Sequence, residues 1–261
     1  MEKLHKKYRK LWGNEAEMLV LQRKIIDAKP VLQAMYKNFY SEVRGFIPER
    51  GLNVEIGTGH GYTKMFFENI IQTDRVLTPH IAVCNDAQAL PFKDGSLDTI
   101  MVFGVLHHMK SPDEFFKEAR RVLKKGGKIV MVEPYVSLLS YPIYKLVHHE
   151  GLNLSTKACD SEKYHLLDAN IAIPTIFFKK RKKEFETRYP DLRIIYESYH
   201  TPFLFFASGG YIHPNLLPRP LLPVLLWLEK TLRPLGKWIG SMMTNHNHTE
   251  KLICPTGVRP S

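Results

Sequence analysis

The chain has 261 residues, 44% of them hydrophobic and 24% charged, and a formal net charge of +11. This balance excludes disorder and gives room for one large α/β domain with appendages. Three cysteines, Cys84, Cys159 and Cys254, are odd in number and widely spaced, which excludes both a disulfide framework and a CxxC metal site.

Met1 to Lys10 is basic, but no apolar run follows it, so no secretory signal is read and a cytoplasmic location is expected. Residues 1–50 form the first zone, an N-terminal helical cap. Leu4, Tyr8 and Leu11 recur at helical spacing, as do Leu19, Ile26, Met35 and Tyr36, with a break predicted at Pro30.

Residues 51–210 read as the main domain. Leu52–Ile56 predicts a buried strand, Thr63–Asn69 a helix, and Ile70–Thr73, Ile81–Asn85 and Thr99–Phe103 further strands. Ser111, Pro112 and Glu114 form a helix start, and Lys124–Lys125–Gly126–Gly127 follows its end. Lys128–Val132 is another strand, so strands alternate with helices and predict a parallel sheet covered on both faces. Residues 136–178 lack this rhythm and read as an insertion over the substrate. A helix over Lys179–Tyr189 and a hairpin of Leu192–Ser198 with Pro202–Ala207 complete the domain. Residues 211–261 read as a C-terminal helical extension.

The most informative stretch is Val54–Glu55–Ile56–Gly57–Thr58–Gly59–His60–Gly61, a strand running into a glycine turn. Glycines there permit positive φ and close approach of a ligand to the backbone. The pattern is GxGxG, whereas a dinucleotide fingerprint needs GxGxxG, so a nicotinamide or flavin site is disfavoured. Asp74 ends the next strand, Asp86 the one after, and ligands of such sheets bind outside the carboxyl ends of the strands.

The run from Asn53 to Tyr135 resembles the cofactor-binding core of the class I S-adenosylmethionine-dependent methyltransferases, in particular the group called methyltransferase type 11. The resemblance rests on VEIGTGHG (54–61), Asp74, NDAQALPFKDGSLD (85–98), VFGVLHHM (102–109) and RRVLKKGGKIVMVEP (120–134). It implies a Rossmann-like sheet of seven strands, mostly parallel, whose last two form a hairpin, with helices on both faces and helical additions at each end. It further implies that Gly57, Thr58, Gly59 and Gly61 pass beneath the methionine and ribose of S-adenosylmethionine. Glu55 is expected near its amino group, Asp74 at the ribose hydroxyls, and Asp86 with Ala87 at the adenine edge. Phe103 and Gly104 are expected beside the methionine moiety. His60 stands where the family often has a small residue, and either narrows the site or touches the substrate, or is an exposed loop imidazole.

A histidine near neutral pKa suits an alcohol or phenol acceptor that must lose a proton. His107 and His108 follow the central strand and are candidate catalytic residues, His108 preferred, with packing or helix capping as their alternative; Tyr135 is a third candidate. His148–His149–Glu150 and His165 lie in the segment expected over the substrate; HHE has no second cluster at metal-ligand spacing, so it reads as loop or substrate contact and no metal site is expected. The acceptor is read as a small molecule, a glycan or a lipid-linked precursor, with oxygen preferred as the methylated atom. A regulatory or scaffold protein that binds the cofactor without transfer is the alternative.

The charge excess lies in the flanks: 11 basic and 6 acidic residues in 1–50, 10 and 10 in 51–135, 16 and 10 in 136–261. Lys179–Lys180–Arg181–Lys182–Lys183 invites a nucleic-acid reading. It is disfavoured, because Phe103–Gly104–Val105–Leu106 replaces the Asn/Asp-Pro-Pro-aromatic motif of amino-methylating enzymes and no cysteine follows a proline. Leu221, Leu225, Leu228, Leu232, Leu235 and Ile239 form one apolar stripe, with Pro234 inside it and Trp227 and Trp238 close by. This stripe either docks on the domain or a second subunit, or makes a peripheral membrane contact.

Overall fold

A computed structural model describes residues 10–11, 13–146, 148, 150–156 and 168–249. Leu4, Tyr8, His149, Cys159, His165 and Cys254 lie outside the described residues.

Helices α1 (Glu15–Ala28) and α2 (Pro30–Val43) divide at the predicted break. Lys29 between them is extended, as a residue before proline prefers, and Pro30 opens α2, where its missing N–H costs nothing. The Lys29 side chain is fully buried. Its ammonium donates to the carbonyls of Ser208, Gly210 and His213, so the helical cap is fastened to a distant loop.

Seven strands form one sheet: β1 (Asn53–Ile56), β2 (Ile70–Asp74), β3 (Val83–Cys84), β4 (Leu97–Phe103), β5 (Leu123–Pro134), β6 (Leu192–His200) and β7 (Met242–Thr249). Their order is β3-β2-β1-β4-β5-β7-β6. The first five are parallel, and β7 runs antiparallel between β5 and β6. This is the expected Rossmann-like sheet with its last strands reversed.

Alternation along the strands feeds two cores. Ile100, Val102, Ile129 and Met131 face one side, where they meet Phe115, Phe116, Ala119 and Val122 of α3 (Pro112–Val122) and Phe177, Phe178 and Phe185. Met101, Val130 and Val132 face the other, against α1 and α2. Apolar residues of α3 at steps of three and four make its buried stripe. Asp113 and Glu114 in its first turn and Arg120 and Arg121 in its last oppose the helix dipole. After α4 (Ser140–Leu146), a helical turn at Ile173–Thr175 widens into a π turn at Ile176–Lys180, and α5 (Lys182–Arg188) follows.

Four expectations are corrected. Residues 202–207 are not a strand; they lie in α6 (Phe203–Ser208), after Pro202 and before Gly209 at φ +65°. Proline at the start and a left-handed glycine at the end favour a helix, which an apolar run alone cannot distinguish from a strand. The predicted hairpin is therefore absent: β6 pairs with β7, and residues 201–241 separate them. The segment 211–261 is not wholly helical. It holds α7 (Leu222–Leu232), a 3-10 turn containing Pro234, α8 (Gly236–Ile239) and then β7 inside the sheet. The helix expected over Thr63–Asn69 is only a 3-10 turn at Tyr62–Met65, and no helix joins β2 to β3.

Candidate active site

At the carboxyl end of β1 the chain turns through Gly57 (φ +69°), Gly59 (+55°) and Gly61 (+66°). A Cβ on Gly57 would lie 2.4 Å from Cγ2 of Val105, so the turn packs directly on the loop after β4. The buried Glu55 carboxylate accepts from the hydroxyls of Thr58 and Thr63 and from Nε2 of Gln72. Burial pushes its pKa up, and these hydrogen bonds pull against it. Its carboxylate thus fastens the turn from below.

Asp74 reaches across from the end of β2. One oxygen accepts the Gly59 N–H at 2.8 Å and the other the Val76 N–H at 2.9 Å. Burial raises its pKa, opposed by these backbone donors. Asp86 closes a turn by accepting the Gln88 N–H at 2.8 Å. His60 is held on both nitrogens: Nδ1 accepts the Tyr62 N–H at 3.2 Å, which puts the proton on Nε2, 3.0 Å from the Tyr36 hydroxyl. Burial, with the charges of Arg23 and His80, lowers it to about 3, so it is a neutral wall group.

After β4, Gly104 (φ +64°) leads into a 3-10 turn at Leu106–His108. The fully buried Glu133 of β5 organises this turn. One of its oxygens accepts the N–H groups of Val105 and Leu106 at 2.8 and 2.9 Å, and the other lies 2.8 Å from Nδ1 of His107. His108 Nδ1 lies 3.0 Å from the Asp168 carbonyl. Burial alone would lower His107, but the carboxylates of Glu133 and Glu150 outweigh it and raise it to about 9. Burial, then the charge of His107, lowers His108 to about 4. Burial acts upward on Glu150, yet its histidine neighbours hold it well below the usual carboxylate range. The two neighbouring imidazoles are thus shifted in opposite directions, His107 up and His108 down.

Glu55, Gly57, Thr58, Gly59, His60, Asp74, Asp86, Ala87, Phe103 and Gly104 all line one cavity of about 440 Å³. His107, His108, Tyr144, His148 and Glu150 line the same cavity, as do Tyr36, Phe39 and Tyr40 of α2. Gly61 is not among the lining residues. Tyr135 stands apart as well: its hydroxyl donates to the Lys237 carbonyl at 2.9 Å, and its ring lies against Tyr199.

Glu133 and Glu150 are the residues sequence reasoning undervalued. A glutamate within the apolar run Ile129–Val132 and Glu133 is a signal, because a carboxylate in a buried strand needs partners. Glu150 has no comparable signal. Only the fold brings it to His107 and His108.

The seven-stranded sheet with its antiparallel β7, the glycine turn after β1 and the acids following β2 and β3 have the Rossmann-like architecture of the class I methyltransferase fold. Residues 54–131, fewer than half of the chain, match the family model described as a methyltransferase domain, type 11. Among curated proteins, it is similar to an uncharacterised protein of Methanocaldococcus jannaschii, 34% identical over 110 residues, or 38% of this chain and 52% of that one. It is also similar to the ubiquinone/menaquinone biosynthesis C-methyltransferase UbiE of Laribacter hongkongensis, 37% identical over 89 residues, or 33% of this chain and 36% of that one. The chain thus matches about half, or less, of the length of these relatives. A solved S-adenosylmethionine-dependent methyltransferase of Thermotoga maritima overlays with a TM-score of 0.49 at 17% identity, covering 96% of this chain and 100% of that one.

Proposed function

We propose that this protein transfers a methyl group from S-adenosylmethionine to a small-molecule, glycan or lipid-linked acceptor, with oxygen as the methylated atom. The observation that carries this reading is the single cavity running from the glycine turn and Asp74 to His107, His108 and Glu150. The residues present fit the cofactor. A buried, carboxylate-bearing Asp74 lines the cavity beside a turn whose glycines hold left-handed φ of +69° and +55°. When bound, the cofactor supplies an electrophilic methyl on a sulfonium.

In this reading Asp74 accepts from the ribose hydroxyls, and Asp86 with the Ala87 backbone meets the adenine. Gly57–Gly59 and Gly104 make room for the methionine moiety, and Glu55 acts by holding the turn. His107, His108 and Glu150 orient the acceptor, and the aromatic wall of Tyr36, Tyr40 and Phe103 keeps water from the transfer. Preference for oxygen rests on these polar groups. The UbiE relative is named as a C-methyltransferase, but the family match ends at residue 131, before Tyr144 and Glu150.

Nucleic acid remains disfavoured as acceptor. Of the basic run, Lys179 pairs with Glu197, Arg181 with Glu184 and Lys182 with Glu186, as on a solvated, charge-balanced face. No described helix is long and apolar enough to cross a membrane. Peripheral contact is supported by Val224, Trp227, Leu235 and Trp238, all exposed.

Calorimetric titration with S-adenosylmethionine and S-adenosylhomocysteine, on wild type and Asp74→Ala, tests the reading. Micromolar binding, weakened at least about tenfold in the variant, is expected from losing a charge-assisted hydrogen-bond acceptor. A folded protein that binds neither ligand would leave a scaffold role in its place.

A further inference from the structure

The acceptor end of the cavity holds a donor set that methyl transfer alone does not require. Nε2 of His107 lies 3.6 Å from Oε2 of Glu150, and Nε2 of His108 lies 3.8 Å from Oε1. The three donor atoms all lie within 4.8 Å of one another. Both separations are too long for hydrogen bonds. They approach the roughly 3.3 Å between neighbouring ligands of a tetrahedral ion with bonds of about 2.0–2.1 Å.

Both imidazoles are oriented for ligation by their other nitrogen. A carbonyl can only accept, so the contact to Asp168 fixes the proton of His108 on Nδ1 and turns Nε2 toward Glu150. Glu133 does the same for His107, and it is itself immobilised by the N–H groups of Val105 and Leu106. A carboxylate behind a histidine, with the second nitrogen facing a further carboxylate, is the outer-shell arrangement of histidine metal sites. His148 contributes differently: its Nδ1 accepts the Glu150 N–H at 3.3 Å and so shapes the loop that carries Glu150.

We propose that His107, His108 and Glu150 bind one divalent transition-metal ion at the acceptor end of the cavity, and that an oxygen of the acceptor completes its coordination. The inference rests on reading that end as the acceptor site. Two imidazoles and one carboxylate favour zinc, iron or cobalt over magnesium and calcium, which take mainly oxygen ligands. All three side chains line the cavity, so an ion among them faces it with a position left for substrate. The sequence conceals the site, because His107 and His108 are adjacent and Glu150 stands far along the chain in a different loop.

The test is titration of zinc into metal-free protein against a chromophoric chelator, with cobalt(II) absorption read in parallel. One ion per chain is expected, with a visible cobalt spectrum of low coordination number. Glu150→Gln and His108→Gln should each weaken binding by at least about 100-fold, since a lost ligand costs more than the roughly 10–100-fold of a lost outer-shell partner. Circular dichroism establishes which variants fold, and if Glu150→Gln does not, His108→Gln decides. Equal zinc binding in wild type and variants would place the ion on surface histidines and overturn the inference. So would a folded wild type that takes up neither metal. S-adenosylmethionine titration of the same samples separates the two readings. Cofactor binding without a metal site removes only this inference, whereas a metal site without cofactor binding removes the methyltransferase reading.

Discussion

Gly57 shows how a single residue couples backbone conformation to the site. Its left-handed φ of +69° is disfavoured for any other L-residue by about 1–2 kcal/mol, and its missing Cβ leaves space for Val105. Gly57→Ala is therefore expected to lower stability by at least about 2 kcal/mol and to abolish cofactor binding, measured by thermal unfolding and titration. Gly59→Ala should be milder, since its Cβ would meet only the flexible end of Leu19, at 3.2 Å. Equal losses in the two variants would show that contact with Val105 is not what distinguishes them. Sequence located both glycines. It could not rank them, because the ranking depends on what the fold places opposite each.

Strand β7 is the element on which the sheet depends and which the sequence hid. Met-Met-Thr-Asn-His-Asn-His-Thr has no apolar alternation and little β-propensity, yet it pairs with β5 from Met242 to His248 and with β6 from Met242 to Thr249. Tertiary pairing overrides propensity here. By contrast, Phe203–Ser208 is apolar enough for a strand, yet it folds as a helix against α2. Deleting 214–261 is thus expected to give insoluble or unfolded protein, read by circular dichroism, because it opens two long strands at once. Membrane contact must therefore be read from substitutions that leave β7 in place. Trp227→Ser is expected to reduce liposome cosedimentation without changing the unfolding midpoint, since Trp227 is 61% exposed. Unchanged cosedimentation would assign the apolar face of α7 to another role.

Across the molecule, buried imidazoles predict how stability follows pH. Burial holds His200 at about 4 despite the opposing charge of Glu42, and holds His246 at about 4 with the help of Lys128 and His248. Both stay neutral in the folded chain while the unfolded chain takes up protons below about 6.5. Their contribution is complete above that pH and is lost as pH falls from about 6.5 towards 4, on the order of 1 kcal/mol per unit for each group. Urea unfolding at pH 7.5 and pH 5 should show a lower midpoint at pH 5, and His246→Gln should flatten the difference. A midpoint that is the same at both values would mean that these side chains are hydrated in the native state.

What the sequence determined by itself was the part encoded locally. Alternating strands and helices, the glycine turn and the carboxylates at two strand ends each depend on neighbours a few residues away. They were sufficient to place Asp74, Asp86 and Gly57–Gly59 around one site. Pro30 likewise announced the break between α1 and α2. The tertiary structure alone decided which polar strand enters the sheet, that Tyr135 turns away to Lys237, and that Glu150 meets His107 and His108. Such meetings depend on how loops from different strands converge, and no residue spacing along the chain records that convergence.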